Sequence, residues 1–217
     1  MKMKHSYKDI SAEILAPDKA LPYLHKAAIL ENMIEELPAT PWADIDILDW
    51  LPGDNKLPVE YFRYDTPFGE AWIANTPKGI CYLGIVDDDA DYVAEDFTKR
   101  FGYANPIEIK TSIQKTALDY LNGKMDKQLL FHLKGTPYQT EIWRRLLRIP
   151  FGKVISYATL AGHKDHSRAA GTANGRNPIF WIVPCHRAVY TDGGFDRYSW
   201  GKDIKKRLLA WEFANSK

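Results

Sequence analysis

The chain has 217 residues, 45% of them apolar, 13% aromatic and 26% charged, which supplies a sizeable core and argues against disorder. No run approaches the roughly 18 consecutive apolar residues of a membrane span, and no apolar signal core follows the N-terminal lysines. Two cysteines, Cys81 and Cys185, are too few for a disulfide framework and suit a reducing cytoplasm. The net charge of +1 hides a split: residues 134–217 carry 15 Lys and Arg against 6 Asp and Glu, and the rest carry 14 against 22. An acidic support joined to a polyanion-binding domain has this balance, and so does chance segregation of surface charge.

Residues 20–38, "ALPYLHKAAILENMIEELP", space their apolar side chains as one amphipathic helix. The Pro- and Asp-rich stretch to residue 56 reads as an ordered, wrapping loop, so 1–56 is an extension without an assigned role. From Val59 the pattern becomes three short strands, with turns at Pro67-Phe68-Gly69 and Pro77-Lys78-Gly79, as in an antiparallel meander. Residues 90–102 and 111–124 read as helices, and 106–110 and 128–133 as strands, which makes 57–133 an α+β domain. Cys81 lies mid-strand among apolar neighbours and reads as a buried hydrophobe.

From Gly135 the character is helical. Thr136 and Pro137 open "TPYQTEIWRRLLRIPFG" as N-cap and N1. Ser156 and Ser167 open the two short helices "SYATLAG" and "SRAAGTANG", joined by "HKDH". This is the pattern of a helix-turn-helix, or of two core helices in a bundle. The stretch "GKDIKKRLLAWEFANSK" is a basic amphipathic helix with Ile204, Leu208 and Leu209 inward. Glu212 sits near its C-terminus, where the macrodipole disfavours a carboxylate, so a partner is expected for it.

The stretch "IFWIVPCHRAV" concentrates the chemistry. Ile179–Val183 reads as a buried strand that Pro184 ends, which delivers Cys185 to the lip of the core beside His186 and Arg187. A thiol attacks as thiolate, and burial raises its pKa, so its activation must come from neighbours. Adjacent side chains in extended chain point apart, so a water or a local turn would have to connect Cys185 with His186. A carboxylate such as Glu212 would orient the imidazole. Cys185 as a packing residue, or as a redox partner of Cys81, stays open. One Cys and one His are too few ligands for zinc.

The segments "GTPYQTEIWRRLLRIPFGKVISYATLAG", "SRAAGTANGRNP", "IVPCHRAV" and "YSWGKDIKKRLLAWE" resemble the O6-alkylguanine-DNA alkyltransferases, in family order across residues 134–217. The resemblance implies an α+β fold: an N-terminal RNase H-like α/β domain over 57–133 and a mainly helical, winged-helix-like domain with a helix-turn-helix over 134–217. It implies single-turnover transfer of an alkyl group from O6 of guanine to Cys185. His186 would take the thiol proton through a water, with Glu212 orienting it and Asn177 tying the helix-turn-helix to the active-site segment. Tyr157 and the Ser199 backbone would face O6, and the carbonyls of Cys185 and Ala188 would read the exocyclic amine. Arg168 would replace the flipped base, with Ala169, Ala170, Thr172 and Gly175 forming a small-residue surface for the minor groove.

No cofactor or metal is implied. The partner is double-stranded DNA carrying O6-alkylguanine, bound by a cytoplasmic monomer. Two departures stand out. Only ten residues separate Tyr157 from Arg168, about one helical turn fewer than the family has, which could displace Tyr157. Asn174 occupies a position where some relatives carry a bulkier apolar residue. The alternative is a non-catalytic, alkyltransferase-like lesion binder, but such proteins replace the cysteine that this chain keeps.

Overall fold

The computed structural model describes residues 24–66, 68–86, 90–196 and 198–216. The N-terminal lysines and the first residues of the helix expected at 20–38 lie outside them. The described part of that helix is short, α1 (Lys26–Glu31), and is followed by β1 (Met33–Ile34). The next elements are β2 (Ile45–Asp49), β3 (Glu60–Thr66), β4 (Gly69–Thr76), β5 (Gly79–Ile85), α2 (Ala90–Phe101), β6 (Ile107–Glu108), α3 (Ser112–Leu121) and β7 (Leu129–Leu133). Beyond them lie α4 (Pro137–Leu146), β8 (Val154–Ser156), α5 (Tyr157–Ala161), α6 (Ser167–Asn174), β9 (Ala188–Val189) and α7 (Lys202–Asn215). The fold is mixed α and β.

Six strands form one sheet in the order β2-β7-β5-β4-β3-β6. The β3-β4-β5 meander is antiparallel, while β2, β7 and β6 join in parallel. Every residue of β5 is buried, so the sheet is covered on both faces at its centre. Local chemistry sets the helix starts. Thr111 and Gln114 form a capping box ahead of α3, and Thr136 and Gln139 do the same for α4, each with the N-cap hydroxyl accepting from the N3 amide.

Three expectations change. The helix expected to run to residue 38 stops at Glu31, because Met33 and Ile34 pair instead with β8. Residues 45–49, read as loop, form β2, because Ile45 and Ile47 alternate inward and are buried against the sheet. Residues 179–183, read as a strand, form no strand beyond a single bridge between Ile179 and Leu83. Trp181 adopts φ 56°, in the left-handed region, and Ile182 N–H turns back to Phe180 O at 2.6 Å. The segment is a fully buried loop. Its apolar composition fills the space between the large sheet and the helices, where Phe180 meets Phe68 and Trp200, and Trp181 meets Trp42.

A second, three-stranded parallel sheet has the order β1-β8-β9. Its middle strand, β8, leads directly into α5 and Tyr157. The segment from α1 to β1 is therefore part of the C-terminal half's architecture. Lys26 pairs with Asp192 at 2.6 Å, Lys153 donates to Asn32 at 3.2 Å, and the Arg148 guanidinium binds the Pro38 carbonyl. Ile29, only 2% exposed, packs with Val154, Val189, Leu209 and Phe213. Ile29→Ala should cost about 3 kcal/mol, the range for emptying a buried aliphatic site, read as a lower urea midpoint.

Candidate active site

Asn177 organises the buried loop. Its side-chain oxygen accepts from Ile179 N–H at 3.0 Å, and its Nδ2 lies 2.8 Å from Ile179 O, 2.9 Å from Val183 O and 3.1 Å from Cys185 Sγ. The two hydrogens of one NH2 group are thus shared among two of the loop's buried carbonyls and the thiol sulfur. Cys185–Arg187 then form a single 3-10 turn, not extended chain. That turn places Cys185 at the cleft and sends His186 and Arg187 into the interior, all three of them buried.

Burial pushes the Cys185 thiol up, and it is opposed by hydrogen bonds with Asn177 and Tyr198 and by the charge of Lys205. The Tyr198 hydroxyl lies 3.7 Å from Sγ. Burial also pushes Tyr198 up, so its phenol stays protonated.

Glu212 has the partner its position called for. Its carboxylate accepts from His186 Nε2 at 2.7 Å, from Arg187 Nε at 2.8 Å and Nη2 at 3.0 Å, and from Gly152 N–H at 3.2 Å. All three side chains are fully buried. Burial alone would raise Glu212, but Arg187 and His186 outweigh it and hold the carboxyl at about 2. His186 is lowered, chiefly by burial, and stays neutral at pH 7. A neutral imidazole facing a carboxylate must donate from Nε2, which leaves Nδ1 as an acceptor, and that atom has no protein partner. No direct hydrogen bond joins His186 to Cys185. Gly152 is needed where it stands: its φ is 73°, and a Cβ there would lie 2.1 Å from Ser216 Cβ.

Lys205 is the residue that sequence reasoning missed. It is fully buried, donates to Ala188 O at 2.7 Å, and faces the rings of Phe195 and Tyr198. Desolvation lowers it to about 7, against the pull of Cys185. A signal existed: Lys205 is one turn from Leu209 and two from Glu212, on the inward stripe of α7.

Cys185 opens on a cleft of about 1180 Å³, lined in part by Tyr157, Arg168, Asn174, Gly175, Tyr198 and Ser199. Burial pushes the Tyr157 phenol up, so it too stays protonated. The short link between α5 and α6 is a 3-10 turn, Lys164–His166, and it still leaves Tyr157 and Arg168 on one cleft. Ser199 Oγ donates to Gly175 O at 2.9 Å. Arg168, Ala169 and Thr172 on α6 and Gly175 at its C-cap are exposed. Ala170, grouped with them from the sequence, is fully buried, because the helical turn of about 100° per residue rotates it beneath α6. It cannot present a surface to a groove.

Fold and site together define a mixed α/β protein built around one buried, hydrogen-bonded cysteine that faces a cleft beside a short helix pair. The model of the 6-O-methylguanine DNA methyltransferase DNA-binding domain matches residues 137–214. The chain is 33% identical to the methylated-DNA–protein-cysteine methyltransferase of Methanosarcina barkeri, over 71% of this chain and 98% of that protein. It is 31% identical to the bifunctional transcriptional activator/DNA repair enzyme Ada of Escherichia coli, over 75% of this chain, and spans about half of that longer protein (48%). The structure of Mycobacterium tuberculosis OGT in complex with DNA superposes with a TM-score of 0.59 at 29% identity, covering 72% of this chain and 94% of that one. The chain belongs to the methylated-DNA–protein-cysteine methyltransferase family. Among the described residues no helix is long and apolar enough to cross a membrane, and no group of three or more His, Cys, Asp or Glu residues could hold a metal.

Proposed function

We propose that this chain repairs DNA by direct reversal, moving the alkyl group of O6-alkylguanine onto Cys185 in a single turnover. The observation that carries the reading is Cys185 Sγ held 3.1 Å from the Asn177 amide at the floor of a cleft, next to a neutral His186 whose other nitrogen is fixed by Glu212. The thiol proton passes to His186 Nδ1 through a bridging water, and the Glu212 carboxylate balances the imidazolium that forms. The Asn177 amide and the Lys205 charge stabilise the thiolate. Sγ then attacks the alkyl carbon, the S–C bond forms as the C–O6 bond breaks, and guanine leaves with negative charge on O6. The Tyr157 phenol donates to that oxygen. No cofactor enters; the protein is the acceptor.

The remaining roles follow from this reading. The target base must leave the duplex to reach a buried sulfur. Arg168, exposed at the start of α6 on the cleft rim, would fill the gap in the stack, and Ala169, Thr172 and Gly175 would approach the minor groove. Ser199 would present its backbone to O6. The six-stranded sheet with α2 and α3 serves as an RNase H-like support. Residues 134–217 form a winged-helix-like unit whose α5–α6 pair is the helix-turn-helix, and the protein acts on double-stranded DNA as a monomer.

Mass spectrometry after mixing the protein with a duplex carrying one O6-methylguanine tests the proposal. A single added methyl on the peptide containing Cys185, with guanine restored in the DNA, is the expected result. Tight binding with no change in mass would overturn it in favour of a lesion binder. Tyr157→Phe should slow single-turnover transfer about a hundredfold, the cost of one donor to a developing oxyanion. Unchanged kinetics would remove Tyr157 from the mechanism.

A further inference from the structure

We infer that Asn174 is a specificity-determining residue: its side-chain oxygen reads the exocyclic amine of the extrahelical guanine. This rests on the alkyl-transfer reading of the Cys185 cleft and adds to it the group by which the base is told apart. Asn174 lies at the end of α6, is 6% exposed and borders the cleft beside Cys185. Its Nδ2 donates to the Cys185 carbonyl at 3.2 Å. A carbonyl only accepts, so this bond fixes which end of the amide is which, and Oδ1 faces away from it. Oδ1 is shielded from solvent and has no hydrogen-bond partner.

Among the described residues only two buried side-chain acceptors lack a protein partner, His186 Nδ1 and Asn174 Oδ1. The first lies on the route of the thiol proton. The second has no structural use, and a buried acceptor without a donor costs free energy until one arrives. The lesion brings one. In O6-methylguanine N1 has lost its hydrogen, and N3, N7 and O6 only accept, so the 2-amino group is the sole N–H donor of the base. One unpaired acceptor, on a residue that borders the cleft, answers one donor on the ligand.

The two backbone carbonyls that the resemblance assigned to the amine are each already engaged. Cys185 O accepts from Asn174 itself, and Ala188 O accepts from the buried Lys205 ammonium at 2.7 Å. Each retains one lone pair at most, and the cationic donor weakens the second carbonyl as an acceptor. Asn174 Oδ1 carries no such load. An apolar side chain at this position could pack on the base but could not distinguish an amine from a hydrogen.

The test compares single-turnover transfer from O6-methylguanine with transfer from O6-methylhypoxanthine, which lacks only the 2-amino group, in otherwise identical duplexes. The natural protein should favour the guanine lesion, and Asn174→Leu should lower that guanine-to-hypoxanthine ratio about tenfold. Damage to folding or to the thiol slows both substrates, and the difference in flipping cost between the duplexes is common to both proteins, so both cancel when the ratios are compared. A ratio that is the same in Asn174→Leu as in the natural protein would overturn the inference. Methylation of Cys185 from neither duplex would instead overturn the transfer reading, and this inference with it.

Discussion

Cys185→Ala will abolish alkyl transfer while leaving duplex binding within about threefold of the natural protein. The residue supplies the attacking sulfur, and nothing else described in the cleft is a soft nucleophile. Cys81, the other thiol, is fully buried within β5, and burial pushes it up strongly, so it stays an inert thiol. The binding surface expected for DNA lies on α6 and the cleft rim, away from Sγ. Single-turnover mass spectrometry reads the first effect, and fluorescence anisotropy of a labelled duplex reads the second. A methyl still appearing on the variant would place the acceptor elsewhere and end the assignment. A loss of binding by more than tenfold would mean that the sulfur holds the cleft in shape, not only the chemistry.

Glu212→Ala should be the most damaging single change to stability. It removes the one carboxylate among the described residues that pairs with the fully buried Arg187 guanidinium, and it frees His186 at the same stroke. Breaking a buried pair by deleting one partner costs about 3–5 kcal/mol, because the other charge stays desolvated. Urea denaturation at pH 7 should show that loss. The pH dependence gives a second reading. The folded carboxyl is held at about 2, below its ordinary value of 4.5, so its contribution is complete above 4.5 and disappears as the pH falls toward 2. The gap between natural and variant protein should therefore narrow across that window, by about 3 kcal/mol in all. A gap that stays constant with pH would show that Glu212 is not held ionised. Transfer should also fail in this variant, since nothing would fix His186 in the tautomer that leaves Nδ1 free.

How much of this was legible beforehand depends on the physical signal each part leaves. The meander was legible because Pro-Gly turns break its strands. The helix α4 was legible because Thr136 and Pro137 mark its start as N-cap and N1. The segment 179–183 misled, because an apolar run states burial and not conformation. What bends it is Asn177, two residues before the run, through bonds to carbonyls up to six residues away. In the site, Glu212 announced a partner by standing where the helix dipole disfavours it. His186 was named as one partner, but Arg187 was not, since Arg187 and Glu212 are 25 residues apart and meet only through packing. Lys205 was hidden by its two basic neighbours, which made it look like one more solvated charge. The role of β1 was invisible, because two residues carry no periodicity.

The pairing of β1 with β8 also bears on the order in which the molecule can be built. Met33 meets Val154, and Ile155 in turn meets Ala188. A ribosome releases the first of these strands long before its neighbours exist. The same holds for β2, whose partner β7 begins at Leu129. Both strands must wait for their partners while more than a third of the chain is synthesised. Contacts of such long sequence separation form late and slow the approach to the native state. The strand beneath Tyr157 thus cannot be flanked on both sides until the cysteine itself has emerged, so the reactive thiol and its scaffold mature together.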